Sequence, residues 1–196
     1  GFSAEKLLSD MNLEGDVPSL NITDFNGYTL TVNGNAQYSG IMNGNLVVTG
    51  KFSTRRCSIE SGAKVTAGEI EAIGNSSSPQ RIIDIRGTIE SKGNLTVQDY
   101  SEFNIYDTGY VLVHGDYLGQ GYRNKTDLEG TLEVKGDVNQ PYNDFPAERL
   151  LLSGSQPQNI SGSLTGIEAI NKQITATNGF SAEKLLSDMN LEGDVP

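Results

Sequence analysis

The sequence predicts an all-β protein, a parallel β-solenoid (β-helix) of about nine coils, and three observations support that fold class. One short strand motif recurs along the chain, the spacing of its copies matches a solenoid coil, and the first 18 residues of the chain return at its end. Gly is abundant, with 23 residues, and Trp is absent. This composition fits many short strands joined by tight turns.

The duplication is the longest-range pattern in the sequence. Residues 179–196 repeat residues 1–18 letter for letter, at an offset of 178 residues. A repeat of this length indicates a tandem array, although a copied opening segment that closes an exposed end would look the same. We therefore interpret residues 1–178 as one repeat unit, with a helix over 3–11 and coils over 11–177. Residues 179–196 then begin the next unit, with its helix and first strand.

The duplicated segment itself predicts a short junction helix. Ser3 is a good N-cap, good helix formers follow it, and Phe2 can form a hydrophobic staple with Leu7. A helix of two turns is marginal alone, so we expect it to be held by packing against the end of the solenoid. The predicted junction residues are the large apolar side chains of both copies: Phe2, Leu7, Leu8, Met11, Phe180, Leu185, Leu186 and Met189.

The recurring motif reads apolar, any, apolar, any, Gly, and a small polar or charged residue usually follows. Clear copies begin at Met11, Leu30, Leu46, Val111, Leu132, Leu150 and Met189. The alternation predicts a half-buried strand, and the glycine permits a bend or a left-handed backbone. Successive glycines lie 16–25 residues apart, which is a coil length. Nine coils stacked about 4.8 Å apart would make a rod of about 43 Å.

An antiparallel β-sandwich is the alternative fold. The dipeptides Asn26-Gly27, Asn33-Gly34 and Asn43-Gly44 are strong hairpin-turn signals. A sandwich, however, should show turn signals about every 8–12 residues, without one strand motif returning at coil length. The solenoid is therefore the favoured prediction.

Three polar segments interrupt the rhythm of the motif: residues 74–79, 119–126 and 139–146. They predict loops that bulge from their coils. In solenoids such insertions gather on one face, and any binding specificity is found there.

Charge and composition limit the possible partners. The net charge of −11 and the pI near 4.4 argue against binding to nucleic acid. No run approaches the roughly 20 apolar residues of a membrane span, so we expect no membrane insertion by this segment. Cys57 is the only cysteine, which excludes an intrachain disulfide framework. We expect no metal and no cofactor, since neither EF-hand spacing nor an Asp-rich nonapeptide repeat occurs.

The chemistry-bearing residues do not form a recognisable catalytic motif. His114 is the only histidine, and the motif alternation places it on the solvent side of its strand. Asp84, Arg86 and Glu90 could be arranged as a carboxylate–arginine site of the kind that cleaves polysaccharides. A charged outer face explains the same residues, and we predict that the chain is not an enzyme.

Aromatic residues concentrate between Tyr100 and Tyr122, and this face is the alternative site for carbohydrate binding. Tyr106, Tyr110, Tyr117 and Tyr122 lie within about one coil of one another. They could form an exposed ladder that stacks on sugar rings, which makes these four the candidate ligand-binding residues. Alternatively, tyrosines could stack on one another from coil to coil and stiffen the rod.

Two stretches carry a resemblance to known proteins: residues 27–35 and residues 130–137. They resemble coils of large bacterial surface and secreted proteins, including haemagglutinin-type adhesins with β-helical shafts. The resemblance implies an extracellular, non-enzymatic stalk that holds an adhesive or effector region away from the cell. Its partners would be adjacent copies of the same repeat, arranged head to tail, and host or environmental glycans.

Overall fold

The computed structural model describes residues 1–74, 81–121, 125–140, 147–164, 173–176, 180–185 and 190–193, and all the regular structure among them is β. The strands are β1 Phe2–Lys6, β2 Met11–Glu14, β3 Val17–Asp24, β4 Thr29–Asn33, β5 Ala36–Met42, β6 Asn45–Ile59, β7 Lys64–Ala72, β8 Arg81–Ile85, β9 Thr88–Ser91, β10 Leu95–Val97, β11 Ser101–Ile105, β12 Tyr110–Val113, β13 Tyr117–Gly119, β14 Lys125–Val134, β15 Val138–Gln140, β16 Ala147–Leu152, β17 Gln158–Leu164, β18 Gln173–Ala176, β19 Phe180–Leu185 and β20 Asn190–Gly193.

These strands form a parallel β-solenoid. Every strand pairing among the described residues is parallel and joins one coil to the next. The predicted solenoid is therefore confirmed and the alternative sandwich is wrong. The Asn-Gly dipeptides that suggested hairpins lie instead at the corners where the chain turns from one face to another.

Each coil passes through three faces. Face 1 contains the motif strands, from β2 and β4 through β9 and β12 to β16. Face 2 contains β10, β13 and β15, and face 3 contains β8, β11 and the start of β14. The 15-residue β6 shows the path most clearly, because it runs through all three faces and pairs in turn with β4, β5, β7 and β8.

The strand register along face 1 gives the number of coils in the solenoid. One inward position follows the register Met11, Leu30, Leu46, Val65, Ile89, Val111, Leu132, Leu150. These eight levels are seven coil steps apart, and the pairings of β16 with β18 and of β18 with β20 add two more. The continuous part from Met11 to Leu150 is therefore a solenoid of about seven turns, against the predicted nine coils for the whole unit.

The core is a continuous column of apolar side chains inside the three faces. The inward positions of face 1 are almost fully buried from Leu30 to Leu152, and Phe52, Ile70 and Tyr117 extend the same burial along face 2. Alternation explains the arrangement, since every second residue of a strand points to the same side. A stack of this kind lets each buried side chain contact its equivalent in the coils before and after it.

The predicted junction helix over residues 3–11 is wrong. Residues 2–6 are β1, in parallel register with β3, and residues 11–14 are β2. Phe2 and Ala4 are half-buried against the core while Ser3 and Glu5 are exposed, which is the period of a strand. A helix this short has little stability of its own, so pairing with the neighbouring coil outweighs the local helix propensity. In the second copy, β19 likewise replaces the predicted helix.

Most residues of the three predicted insertions, 75–79, 122–124 and 141–146, lie outside the described residues, so only the strands on either side of them are known. Residues 74–79 lie between β7 on face 2 and β8 on face 3, and residues 119–126 span the corresponding step from β13 to β14. Of the predicted segment 139–146, Asn139 and Gln140 form the end of β15, and the rest comes before β16 at the same step, one coil later. The coils therefore vary in length mainly between faces 2 and 3, and the strands themselves keep their register.

Candidate functional site

The first coil is held to the second coil by backbone and side-chain contacts. The Leu7 N–H donates to the Asp24 carbonyl over 2.9 Å, and the Lys6 ammonium lies 3.3 Å from the Asp24 carboxylate. Among the predicted junction residues, Phe2 and Met11 pack half-buried against the core and Leu7 is fully buried. Leu8 is 79 % exposed and contributes nothing to this packing.

The second copy of the duplicated sequence forms its strand pairs along the edge opposite to the one that the first copy uses. Phe180 and Leu185 lie on β19, which pairs with β17, the strand that precedes it in the stack. β20 pairs in the same way with β18. Leu186 and Met189 lie outside the described residues. The first copy therefore pairs with the coil after it and the second copy pairs with the coil before it.

A corner of repeated glycines follows face 1, and we call it the glycine corner. It contains Gly15, Gly34, Gly50, Gly68, Gly93, Gly115, Gly136 and Gly154. Gly15 alone among them has a left-handed backbone, with φ of 81°. At Gly34 an added Cβ would lie 2.6 Å from the carbonyl carbon of Gly15, a backbone atom. Close approach of successive coils therefore explains most of these glycines, and the predicted left-handed conformation explains only the first.

The polar residues after five of these glycines tie each coil to the next, and they are Asp16, Asn35, Asn94, Asp116 and Asp137. The Asn35 N–H donates to Asp16 Oδ1 over 2.8 Å, and the Lys51 N–H donates to Asn35 Oδ1 over 2.8 Å. A second run links Asn94, Asp116, Asp137 and Asn159, with N···O distances of 2.8–2.9 Å. Each of these five side chains accepts a hydrogen bond from a backbone N–H one coil further on, and Lys51 and Asn159 end the two runs as donors. The sequence motif includes these polar residues, but it does not show that their side chains form a ladder of hydrogen bonds between coils.

Glu90 lies at the centre of a charged cluster on the outward side of face 1. Its Oε2 is 2.9 Å from Lys64 Nζ, and its Oε1 contacts Lys92 Nζ and lies 3.1 Å from His114 Nε2. The hydrogen bonds from Lys92 and Lys64 lower the pKa of Glu90 to about 2. Both carboxylate oxygens are therefore engaged, and the cluster ties three successive coils together rather than presenting a free acid or base.

His114 directly follows β12 and faces solvent in part, as predicted, with 29 % of its side chain exposed. In the same coil, Tyr110 of β12 donates a hydrogen bond from its hydroxyl to Glu133 Oε2 of the next coil. Ser153 Oγ, from the coil beyond, donates to Glu133 Oε1 over 2.6 Å. Burial and the neighbouring Glu133 raise the pKa of Tyr110. These contacts extend the polar cluster along face 1.

A separate group of polar residues occupies face 3. Asp84 Oδ1 accepts hydrogen bonds from Asn104 Nδ2 and from the Tyr106 hydroxyl, both at 3.1 Å. The Arg86 guanidinium stacks 4.0 Å from the centre of the Tyr106 ring. A recess of about 180 Å³ beside them is lined by Glu102, Asn104, Ile105, Tyr106 and Glu129.

The structure separates the residues that the sequence suggested might act together. Asp84 and Arg86 lie at face 3 whereas Glu90 lies on face 1, so these three do not converge on one site. Tyr106 follows β11 at face 3, Tyr110 is outward on face 1, and Tyr117 is buried in the core at 0 % exposure. Tyr122 lies outside the described residues. The three described tyrosines therefore do not form one exposed ladder.

Metal-binding groups and membrane-crossing helices are both absent from the part of the chain that the structure describes. It holds no group of three or more His, Cys, Asp and Glu side chains placed to bind a metal ion. It also holds no helix that is long and apolar enough to cross a membrane. Comparison with protein-family models, with curated proteins and with solved structures finds no match to this chain. The class that the fold defines is a parallel β-solenoid of stacked coils.

Proposed function

We propose that this chain is a structural repeat of a bacterial cell-surface or secreted protein, and that its units stack into one continuous stalk. The pairing of the duplicated segment is the observation that carries the proposal. In this chain the second copy already pairs with the last coils of the preceding unit, through β17 and β18. The first copy shows how the same segment pairs with the coil that follows it.

Combining the two copies gives a strand ladder that runs through the junction. Gln158 pairs with Phe180, whose equivalent Phe2 pairs with Leu20. Ile160 pairs with Ala182, whose equivalent Ala4 pairs with Ile22. In an array, the segment would therefore have a strand on both sides, and no separate capping element would interrupt the stack.

The surface chemistry supports a spacer rather than an enzyme. The central carboxylate of face 1, Glu90, is engaged by three neighbours, and the paired groups join successive coils. A net charge of −11 keeps neighbouring rods apart by mutual repulsion. The proposed role places the protein outside the cell, projecting an adhesive or effector region that lies elsewhere in the protein.

The length of arrays with one, two and three 178-residue units tests this proposal. Because nine coil steps of about 4.8 Å separate equivalent strands, each unit should add about 43 Å to a rigid rod. Solution scattering and electron microscopy measure that increment. Units that scatter as independent bodies joined by flexible links would contradict the continuous stalk.

Carbohydrate binding is the second candidate function. It is supported by the recess on face 3, because Tyr106 offers an aromatic ring there and the buried Oδ1 of Asn104 has no hydrogen-bond partner. Titration with oligosaccharides, followed by NMR, would support this function if Tyr106→Ala abolished the shifts. Shifts that persist in Tyr106→Ala, or none in the parent chain, would reject the recess as a glycan site.

A further inference from the structure

A column of basic side chains runs along the outward side of face 1, and we call it the basic stripe. Five successive coils, those of β7, β9, β12, β14 and β16, each contribute one basic residue to it. The residues are Lys64, Lys92, His114, Lys135 and Arg149. Four steps of about 4.8 Å separate the first from the last, so the stripe is about 19 Å long. The face 1 strands of the three preceding coils, β2, β4 and residues 45–49 of β6, contain no Lys, Arg or His.

The strand register produces this alignment. Lys64 and Arg149 belong to one row of outward positions, because the five strands pair in a single register along face 1. Lys92, His114 and Lys135 belong to a neighbouring row, one residue after the last inward position of each strand. The backbone N–H of each of these three donates to a carbonyl of the coil before, over 2.8–2.9 Å. The two rows therefore run along the stack and together supply one basic side chain per coil.

The positive groups of the stripe are more accessible than the carboxylate between them. Lys64 and Lys92 keep 48 % and 54 % of their side chains exposed, whereas Glu90, which pairs with both, is only 14 % exposed. Lys135 and Arg149 are exposed and form no ion pair with another residue that the structure describes. A ligand that approaches face 1 therefore meets ammonium and guanidinium groups first.

The local charge of face 1 differs from that of the whole chain. Between its two corners, these five coils carry four Lys and Arg side chains and two carboxylates, so the net charge there is +2 with His114 neutral. The rest of the chain carries −13, because the total is −11. Acidic residues border the stripe at both corners: Glu60, Asp107 and Glu129 come before face 1, and Glu69, Asp116 and Asp137 follow it. This surface therefore favours an anionic ligand that is narrow and linear.

We propose that the basic stripe binds a linear acidic polysaccharide, whose chain lies along the rod and whose carboxylates contact successive basic residues. The proposal goes beyond the stalk and does not rest on it, and it uses a surface separate from the recess on face 3. Hydroxyl-bearing and apolar side chains lie among the basic residues in the same coils: Thr66, Thr88, Leu112, Thr131 and Leu151. Hydroxyls bond to sugar hydroxyls, apolar side chains pack against the C–H groups of sugar rings, and Lys and Arg bind carboxylates.

A nucleic acid fits the stripe less well. Duplex DNA carries about one charge per 1.7 Å of its axis on two strands, so many of its phosphates would lie over the acidic corners. A single strand would need exposed aromatic rings on which its bases stack. The one Tyr, Phe or Trp on face 1 of these coils is Tyr110, which is half-buried with its hydroxyl bound to Glu133.

Binding of oligogalacturonate, an oligomer with one carboxylate per sugar, tests the proposal on the full chain. Calorimetry should show binding that weakens as salt is added, because the stripe is exposed to solvent. The methyl ester of the same oligomer is uncharged and should bind about tenfold more weakly. In NMR spectra the shifted amides should belong to β9, β12 and residues 131–135, and the amides beside the face 3 recess should not move.

Two arginine substitutions give the matched comparison. Arg149→Gln removes a cation from the stripe, and Arg55→Gln removes one from an exposed position at the corner between faces 2 and 3. Both change the net charge by one unit, so a ligand attracted only by the overall charge would respond equally. We expect Arg149→Gln to weaken binding about threefold and the double variant Lys135→Gln/Arg149→Gln about tenfold. Arg55→Gln should leave the affinity within about 1.5-fold of the parent.

Thermal unfolding of these variants should match that of the parent, since each position is exposed. Absence of binding, equal binding of the methyl ester, or equal weakening by Arg149→Gln and Arg55→Gln would overturn the proposal. Binding of a short DNA duplex with the same affinity would also overturn it, because the stripe would then accept any polyanion. The stalk proposal is tested separately, by the length that each unit adds.

Discussion

The interior of face 1 and the adjacent glycine corner are both built by repetition, but they are stabilised differently. Inside face 1, apolar side chains such as Ile89 and Val111 stack on their equivalents in the next coil. At the glycine corner, side chains are absent and backbone meets backbone, with the Gly115 N–H donating to the Gly93 carbonyl over 3.0 Å. The comparison teaches that a solenoid needs its side chains at some positions and needs their absence at others.

Truncation of an interior residue should have the largest effect. Ile89→Ala removes buried methyl groups from the centre of the stack, and we expect the free energy of unfolding to fall by about 3 kcal/mol. Leu112→Ala is the matched control, because Leu112 is on the outward side of face 1. A loss of about 1 kcal/mol or less is expected there. Equal losses in chemical unfolding would contradict the assignment of inward and outward sides.

Adding a methyl group at the glycine corner should have the second-largest effect on the free energy of unfolding. In Gly34→Ala the new Cβ would meet three backbone atoms of Gly15 and Asp16 within 2.8 Å, so the coils must move apart. We expect a loss of about 2 kcal/mol in the free energy of unfolding. Thermal unfolding followed by circular dichroism measures it. An unchanged stability would show that the corner tolerates side chains and that its glycines are not needed for close approach.

The polar ladder beside the glycines should have a smaller effect. Asp116 Oδ1 accepts the Asp137 N–H over 2.8 Å, and Asp116→Ala leaves that N–H without its acceptor. The expected loss is about 1 kcal/mol. Asp116→Asn keeps an acceptor oxygen and should retain the parent stability within about 0.5 kcal/mol. If the Asn and Ala variants were equally destabilised, charge rather than the hydrogen bond would be responsible.

The charged cluster on face 1 should give the smallest effect and a distinct pH dependence. The lowered pKa of Glu90 means that the folded state favours the ionised carboxylate. This contribution is complete above the ordinary pKa of about 4.5 and is lost as the pH falls toward 2. Glu90→Gln should therefore cost about 0.5 kcal/mol at pH 7. Its stability should also fall less than that of the parent between pH 4.5 and pH 2.

The regular part of the fold could be predicted because its cause is local. Alternation around residues such as Val32 and Val134 fixes which side of the strand is buried, and the spacing of the glycines sets the coil length. The inserted segments were also predicted in sequence. The strands on either side of each segment belong to faces 2 and 3, and only the stacking of the coils shows that this step is the same in each coil.

The remaining features depend on contacts between coils. Ser3 and Leu7 show good local helix signals, and only pairing with β3 makes this segment a strand. Tyr117 and Tyr110 look equivalent in the sequence, but one belongs to the core and the other to the surface of face 1. The contacts of Glu90 join residues 26 positions before it and 24 positions after it, which no local pattern reveals.

The variable corner between faces 2 and 3 also has a practical consequence. The chain changes length there while the strands on either side stay in register, so that corner is the natural place to graft foreign peptides. Grafts in neighbouring coils would be spaced by about 4.8 Å along the rod. Peptides grafted there would form a linear array along the rod, and the buried interior would not need to be redesigned.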